Sequence, residues 1–553
     1  MKKLFIISLL VLSTVSATAI PARRGLWSTI TLSDGTQVRV ELRGDEHQRY
    51  LQAEDGTCYI KKNGTYEKIN ANVLQARRAQ RQARRRAIFA STADGLGRYG
   101  QMSMGAMPSI GEYTIPVVMV QFSDMEFQNT TTVEKMERYY NEEGYADEEN
   151  CVGSVRDYFM AQSGGMFVPT FDVVGIVTLD KSYKYYGEND EDNPNISDKH
   201  LEDLPGDVIN AAIVQLGVDF SKYVVPSGDE NHAEGVPLLA MFYAGPGEAT
   251  ESPETGTDYL WPCEWEPIED SNSIEDPAQG DYAGIHFNSF FIGNELNTDK
   301  TLMGLGVFCH EMSHALGLPD FYVTDYSYSG DDAFGLWSIM DCGAYINGGH
   351  APAGYIAYEK SYMGWLELKE IGDAEQVILQ SPLGSTENSA YIIRNSDSET
   401  FIFENHQPGT WYRPYSGSGV MVSRFAYDMD MWATNAVNNI QDQKRALMLT
   451  ADKAILNFDF STANLYGNGV NSIPTLKTLT GDDQAINISK IFKNDDGTIT
   501  LSFDPNATAI HAAHHDAAQS HRIYTLQGTL AGRDRQHLKP GIYVDNGKKI
   551  VVK

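Results

Sequence analysis

Cys309-His310-Glu311-Met312-Ser313-His314-Ala315-Leu316-Gly317-Leu318-Pro319-Asp320 is the stretch on which the fold and the chemistry turn. His310 and His314 stand one helical turn apart and project from one face, with Glu311 beside them. Leu302, Leu305, Phe308, Met312, Ala315 and Leu316 recur at three- and four-residue steps, which predicts an amphipathic helix with Thr298 or Asp299 as its N-cap. Gly317 suits a left-handed residue at the helix end, and Pro319 blocks continuation, so the chain must turn. That turn carries the Asp320 carboxylate back toward the two imidazoles. Two imidazoles, one carboxylate and an open fourth position are the ligand set of catalytic rather than structural zinc. In such a site zinc lowers the pKa of water and polarises a carbonyl, while Glu311 takes up the water's proton and passes it to a leaving amine. A bare HExxH is a weak signal, and an ordinary core helix is the competing reading. The Gly, Pro and Asp that follow make the pattern specific.

With those residues in place, HExxHxxGxPD resembles the immune inhibitor A family of secreted bacterial zinc metallopeptidases, relatives of the metzincins with Asp where most metzincins have a third His. The resemblance implies one Zn2+ on His310, His314 and Asp320, with Glu311 catalytic. Trp337-Ser338-Ile339-Met340-Asp341-Cys342-Gly343 resembles the family's Met-turn, which implies that Met340 places its thioether beneath the metal. Ala351-Pro352-Ala353-Gly354 leading to Tyr362-Met363-Gly364-Trp365 is similar to the helix and Gly-Trp that follow that turn. Ser154-Val155-Arg156-Asp157-Tyr158-Phe159 with Gln162-Ser163-Gly164-Gly165 looks like the helix before the first catalytic strands. The likeness extends over most of residues 20–505. It departs at Cys342, where several metzincins carry a zinc-reaching Tyr, and at Cys263 and Glu264, where a basic residue or His is expected.

Lys2 and Lys3, an apolar run over 4–12, and Ala17-Thr18-Ala19 read as a secretory signal, residues 1–19, so the protein is expected to be secreted or held at the cell surface. No other apolar run approaches the roughly 20 residues needed to span a bilayer. The 553 residues allow two or three domains. Formal net charge is -31, and residues 20–90 run against it with 14 Lys/Arg to 7 Asp/Glu. So acidic a body repels nucleic acid and anionic membranes, and neither is a partner. It suits Ca2+, with candidate oxygen clusters at 188–193, at Asp325 with Asp331 and Asp332, and at Asp428 and Asp430, although solvated loops read the same way.

Residues 20–90 read as a β-rich propeptide, with turn signals at Asp34-Gly35, Asp55-Gly56 and Asn63-Gly64. It ends in a linker carrying Arg77, Arg78, Arg81, Arg84, Arg85 and Arg86, an open target for a trypsin-like activating protease. Five cysteines cannot all pair within one chain. Cys58 is a candidate thiolate for silencing the zinc, and Cys309 reads as core packing. The fold class is α+β: a metzincin-like zinc metallopeptidase domain over 111–368, then a β-sandwich-like domain over 369–506, with a linker and sorting-like segment over 507–553. In the catalytic domain a strand is expected at 113–122, helices near 132–142 and 153–163, a buried strand at 236–243 and an edge strand at 287–292 that would hold substrate. The function expected is a zymogen of a secreted zinc endopeptidase acting on proteins or peptides. The rival readings are a non-catalytic zinc-stabilised adhesin and a zinc amidase acting on cell-wall amides.

Overall fold

A computed structural model of the chain describes residues 16–18, 21–22, 27–45, 48–62, 65–68, 94–103, 105–189, 198–226, 234–250, 258–267, 281–324, 332–383, 387–412, 417–456, 461–506, 523–525, 530–532, 538, 541–545 and 548–552. The Arg-rich run 77–86, the Ala/His-rich segment 508–522 and most of the acidic loop 188–193 lie outside the described residues. Helices and sheets are both present, as α+β requires, and contacts divide the chain into two compact units.

The first unit comprises Met1–Ile88, Ile115–Val133 and Val173–Thr301. Its main sheet is mixed, and its central runs 115–120 and Leu239–Pro246 are apolar and buried, as strands covered on both faces are. Leu239–Pro246 lies at its centre, parallel to Gly111–Gln121 on one side and to Phe290–Leu296 on the other. Cys263–Glu266 then pairs antiparallel with Phe290–Leu296, and Ser16–Thr18 antiparallel with Cys263–Glu266. The strand expected at an edge, 287–292, is therefore interior: it runs Phe290–Leu296 and has a partner on each side. Its apolar run Phe290, Phe291, Ile292 fits a buried central strand, and the pairing partners that decide the matter lie 25 or more residues away in sequence. Within this unit, Trp27–Thr31, Gln37–Asp45, Gln48–Ala53, Cys58–Lys62 and Thr65–Lys68 form a five-stranded antiparallel meander.

The second unit comprises Phe89–Thr114, Glu134–Asp172 and Leu302–Lys553. Val155–Ser163 is a helix whose ends are written in its sequence. Ser154 and Asp157 form a reciprocal capping box, and Gly164 closes it in the left-handed conformation. It packs against the helix Gly306–Ala315, and Phe308 from that helix meets Tyr140 and Phe171 with ring centroids 5.2 and 5.3 Å apart. Beyond residue 368, Lys369–Glu370, Ala390–Arg394, Glu399–His406, Gly419–Ala426 and Ala446–Met448 make a five-stranded sheet. Gln376–Leu379, Lys490–Lys493 and Ile499–Ser502 make a second sheet, and Ile473–Lys477 with Asp483–Ile488 a third. Leu379, Phe401, Phe403, Val422, Ile488 and Leu501, drawn from all three, share one apolar core. Four short strands, Ile523–Thr525, Leu530–Gly532, Gly541–Asp545 and Lys548–Val552, form an antiparallel sheet near the C-terminus. Among the described residues no helix is long and apolar enough to cross a membrane.

Candidate metal centre

The helix that carries the motif is Gly306–Ala315, and all ten of its residues are buried. It is not the amphipathic core helix, with its polar residues on a wet face, of the competing reading. It also starts later: Leu305 takes the N-cap position without a side-chain bond, while Asp299 caps the Thr301 amide in the preceding turn and Thr298 donates to the Thr250 carbonyl. Cap-type residues sit there, but they serve a turn. The C-terminus follows the sequence closely. Gly317 has φ of 101°, its N–H donates to the His314 carbonyl at 2.8 Å, and the Leu318 N–H donates to the Ser313 carbonyl at 3.0 Å. These two bonds are the Schellman pattern, which satisfies the last carbonyls while reversing the chain.

The reversal brings Asp320 to the histidines. His310 Nε2 and His314 Nε2 are 3.2 Å apart, and Asp320 Oδ1 lies 3.2 Å from the first and 3.3 Å from the second. Each ring's other nitrogen is engaged: His310 Nδ1 donates to the Ile339 carbonyl at 2.6 Å, and His314 Nδ1 to the Leu318 carbonyl at 2.7 Å. A carbonyl only accepts, so in the neutral imidazoles the proton stays on Nδ1 and each Nε2 presents a lone pair. Burial holds His314 below its ordinary range, which favours that neutral form. Three acceptors thus meet with no hydrogen to share, and Asp320 Oδ1 has no hydrogen-bond partner. A metal cation bound between them would resolve such a cluster. Ligand atoms about 2.0–2.1 Å from a tetrahedral zinc stand roughly 3.3 Å from one another, which is the spacing found. The donor set fits zinc.

The segment 337–343 backs both arms of this cluster through its backbone. The Ile339 carbonyl orients His310, and the Met340 carbonyl accepts from the Phe321 N–H, beside Asp320, at 2.8 Å. Met340 itself is fully buried. The Met340 N–H bonds the Ser338 hydroxyl, which donates in turn to Glu359. Glu311 is fully buried on the motif helix next to His310.

Residues 114–370 match the family described as immune inhibitor A peptidase M6, catalytic domain. Those residues are therefore similar to an immune inhibitor A peptidase domain. A 262-residue stretch is 27% identical to immune inhibitor A of Bacillus thuringiensis subsp. alesti, covering 44% of this chain and 37% of that protein. A 236-residue stretch is 24% identical to the pre-pro-metalloprotease PrtV of Vibrio cholerae serotype O1 (strain M66-2), covering 40% of this chain and 25% of that one. The chain thus spans about a third and a quarter of the length of these curated relatives. His310, Glu311, His314 and Asp320 all fall within the matched residues.

Two further groups bear on metals. Asp332, Asp341 and Cys342 bring three ligand atoms together. Asp341 Oδ2, however, accepts from the N–H groups of Ala333, Phe334 and Gly335 at 3.2, 2.8 and 2.9 Å, and Lys444 Nζ donates to the Asp332 carbonyl at 3.1 Å. A lysine ammonium in contact and a carboxylate stapling three amides mark a loop fastening ahead of Met340. At the calcium candidate Asp428 and Asp430, Asp428 Oδ1 caps the short helix Met429–Ala433 and its Oδ2 pairs with Arg445 Nη2 at 3.0 Å. Asp325 and Asp331 lie outside the described residues. All five cysteines are free thiols. Cys309 is buried in the core, as its place on the helix suggests, and Cys58 Sγ donates to the Gly56 carbonyl at 3.6 Å while burial pushes its thiol up, against the proposed silencing thiolate. Sequence reasoning passed over Asn435, which touches Asp320 from 115 residues away. Only an asparagine-rich run, Asn435-Ala436-Val437-Asn438-Asn439, hinted at it.

Proposed function

We propose that this chain is a secreted zinc endopeptidase, made as a zymogen, in which His310, His314 and Asp320 hold one zinc ion and Glu311 is the general base. The observation that carries this reading is the meeting of three hydrogen-free acceptors at 3.2–3.3 Å, beside a glutamate, inside a metallopeptidase-family domain. Zinc bound there supplies Lewis-acid polarisation of the scissile carbonyl and lowers the pKa of water toward about 7. Glu311 takes the water's proton on a carboxylate oxygen and returns it to the nitrogen of the leaving amine. The carbonyls of Ile339 and Leu318 hold the two imidazoles in the tautomer that leaves Nε2 free to ligate.

His310, Glu311 and His314 are 0% exposed and Asp320 1%, as ligands and base packed round an ion would be. In this reading residues 1–19 are a signal, 20–90 a propeptide, and the arginines at 77–86 the place where a trypsin-like protease cuts; the relative from Vibrio cholerae is itself named a pre-pro-metalloprotease. Residues 369–506 are read as a sandwich-like domain supporting the site, and 507–553 as a linker and sorting segment.

Purified full-length protein and protein nicked with trypsin should be compared on casein, each also as Glu311→Gln. Little hydrolysis before nicking, strong hydrolysis after it, and loss of about 10²–10⁴-fold in the Gln variant are expected. Equal rates before and after nicking would refute latency. A Gln variant as fast as wild type would refute the mechanism.

A further inference from the structure

The third ligand of the proposed zinc site is held by a residue outside the region that matches the peptidase family. Asn435 follows the short helix Met429–Ala433 in the left-handed conformation, φ 52°, which asparagine tolerates better than most residues. Its side chain closes a ring with Asp320. Asn435 Oδ1 accepts the Asp320 backbone N–H at 2.7 Å, and Asn435 Nδ2 donates to Asp320 Oδ2 at 2.6 Å. The orientation of the amide follows from chemistry, because the backbone N–H needs an acceptor and the carboxylate a donor. With Oδ2 engaged, the oxygen left facing the two imidazole nitrogens is Oδ1, at 3.2 and 3.3 Å, and Oδ1 has no hydrogen-bond partner.

The segment around Asn435 is built to hold this position. Thr324 donates from its hydroxyl to the Asn435 carbonyl at 2.6 Å, and Asn439 Oδ1 accepts the Thr324 N–H at 2.9 Å. Asn438 donates to the carbonyls of Phe321 and Ala446, both at 2.7 Å, and accepts the Ala446 N–H at 3.0 Å. Residues 435–439 therefore grip 320–324 at four points, whereas the family match ends at residue 370.

We propose that Asn435 is a positioning residue that presents a single oxygen of Asp320 to the metal, making the chain beyond the catalytic region part of the metal centre. This rests on the zinc reading above. Partners of this kind commonly set metal affinity by 10–100-fold.

The test uses the full-length protein and reads the zinc dissociation constant by chelator competition, with the visible spectrum of the Co2+ form as a second readout. Asn435→Gly removes the clamp but keeps the left-handed backbone at no cost. Asn435→Asp keeps the size and the acceptor for the Asp320 N–H but loses the donor. Both should bind zinc about 10–100-fold more weakly and shift the Co2+ bands, and if the Gly variant does not fold, the Asp variant decides. Asn438→Ala cuts the same segment away from Phe321 and Ala446; it should lower the melting temperature with zinc affinity within about threefold of wild type. Unchanged affinity and an unchanged Co2+ spectrum in the Asn435 variants, while His310→Ala loses zinc, would overturn the assignment. So would equal weakening in Asn438→Ala, which would reduce the effect to packing. If His310→Ala binds zinc like wild type, the metal-centre reading itself fails.

Discussion

Gly317→Ala is the perturbation that most directly joins the turn to the metal. Gly317 sits at φ 101°, where an L-residue is strained by about 1–2 kcal/mol. Space is short as well: a Cβ there would stand 2.9 Å from the Gly105 backbone nitrogen and 2.9 Å from the Tyr362 hydroxyl. Gly105 itself sits so close that a Cβ built on it would collide with the Ala315 carbonyl oxygen and the Leu316 backbone, which leaves that side little room to yield. Overpacking of this kind costs about 1–3 kcal/mol. Together they give about 3 kcal/mol against the native turn, and the chain relieves it by moving residues 317–320. Leu318 orients His314 and Asp320 is the proposed third ligand, so zinc affinity should fall about 10–100-fold with the stability. Gly100→Ala is the control: its φ is 76° but nothing lies within 4 Å of the added carbon, so it should cost only the conformational part. Thermal melting of the zinc-free protein and chelator competition measure the two effects. Equal costs at the two glycines, or a Gly317→Ala protein with wild-type zinc affinity, would refute the reasoning.

Burial pushes the Glu359 carboxyl up to about 8, against the opposing hydrogen bonds from the Ser338 hydroxyl and the Ile356 N–H. Its folded value exceeds the unfolded one near 4.5, so its contribution to stability is complete below about pH 4.5 and is lost as pH rises to about 8. At about 1.36 kcal/mol per unit, that amounts to on the order of 4–5 kcal/mol. Glu359→Gln should therefore gain on wild type steadily from pH 5 to pH 8 in melting temperature, and parallel curves would show the carboxyl is not the cause. Asp341→Asn weakens a carboxylate that staples three backbone amides, and should lower the melting temperature by the equivalent of about 1–3 kcal/mol; no change would mean the staple is not stabilising. A chelator strong enough to strip zinc should abolish casein hydrolysis by trypsin-nicked protein, and added Zn2+ should restore it; activity that survives full metal removal would exclude a metal-dependent reaction.

The parts of this molecule that could be read from sequence are those whose causes are local. Gly317 and Pro319 specify the turn within three residues of each other, and Ser154 with Asp157 and Gly164 specify both ends of their helix. The parts that could not be read depend on distant partners. Phe290–Leu296 becomes a central strand because Cys263–Glu266 and Leu239–Pro246 flank it, and no feature of the segment itself names those neighbours. The motif helix loses its amphipathic character because other elements cover every side, so the polar residues Ser313 and Glu311 are buried beside the apolar ones. Ser313 survives burial by donating to the Cys309 carbonyl and meeting the Tyr355 hydroxyl. Asp483–Ile488 carries no clear strand signal because Asp483, Gln484 and Asn487 dominate its pattern, and only its pairing with Ile473–Lys477 defines it. Asn435 was missed for the same reason: an asparagine in a polar run carries no sign that its amide meets a carboxylate 115 residues earlier.

Zinc-edge X-ray absorption on the zinc-loaded full-length protein tests the centre most directly. The expected result is one zinc per chain with nitrogen and oxygen neighbours at about 2.0–2.1 Å, two of them imidazoles, and the signal lost in His310→Ala and His314→Ala. A sulfur neighbour at about 2.3 Å, or a zinc shell unchanged when both histidines are replaced, would contradict the assignment of His310, His314 and Asp320 as the ligands.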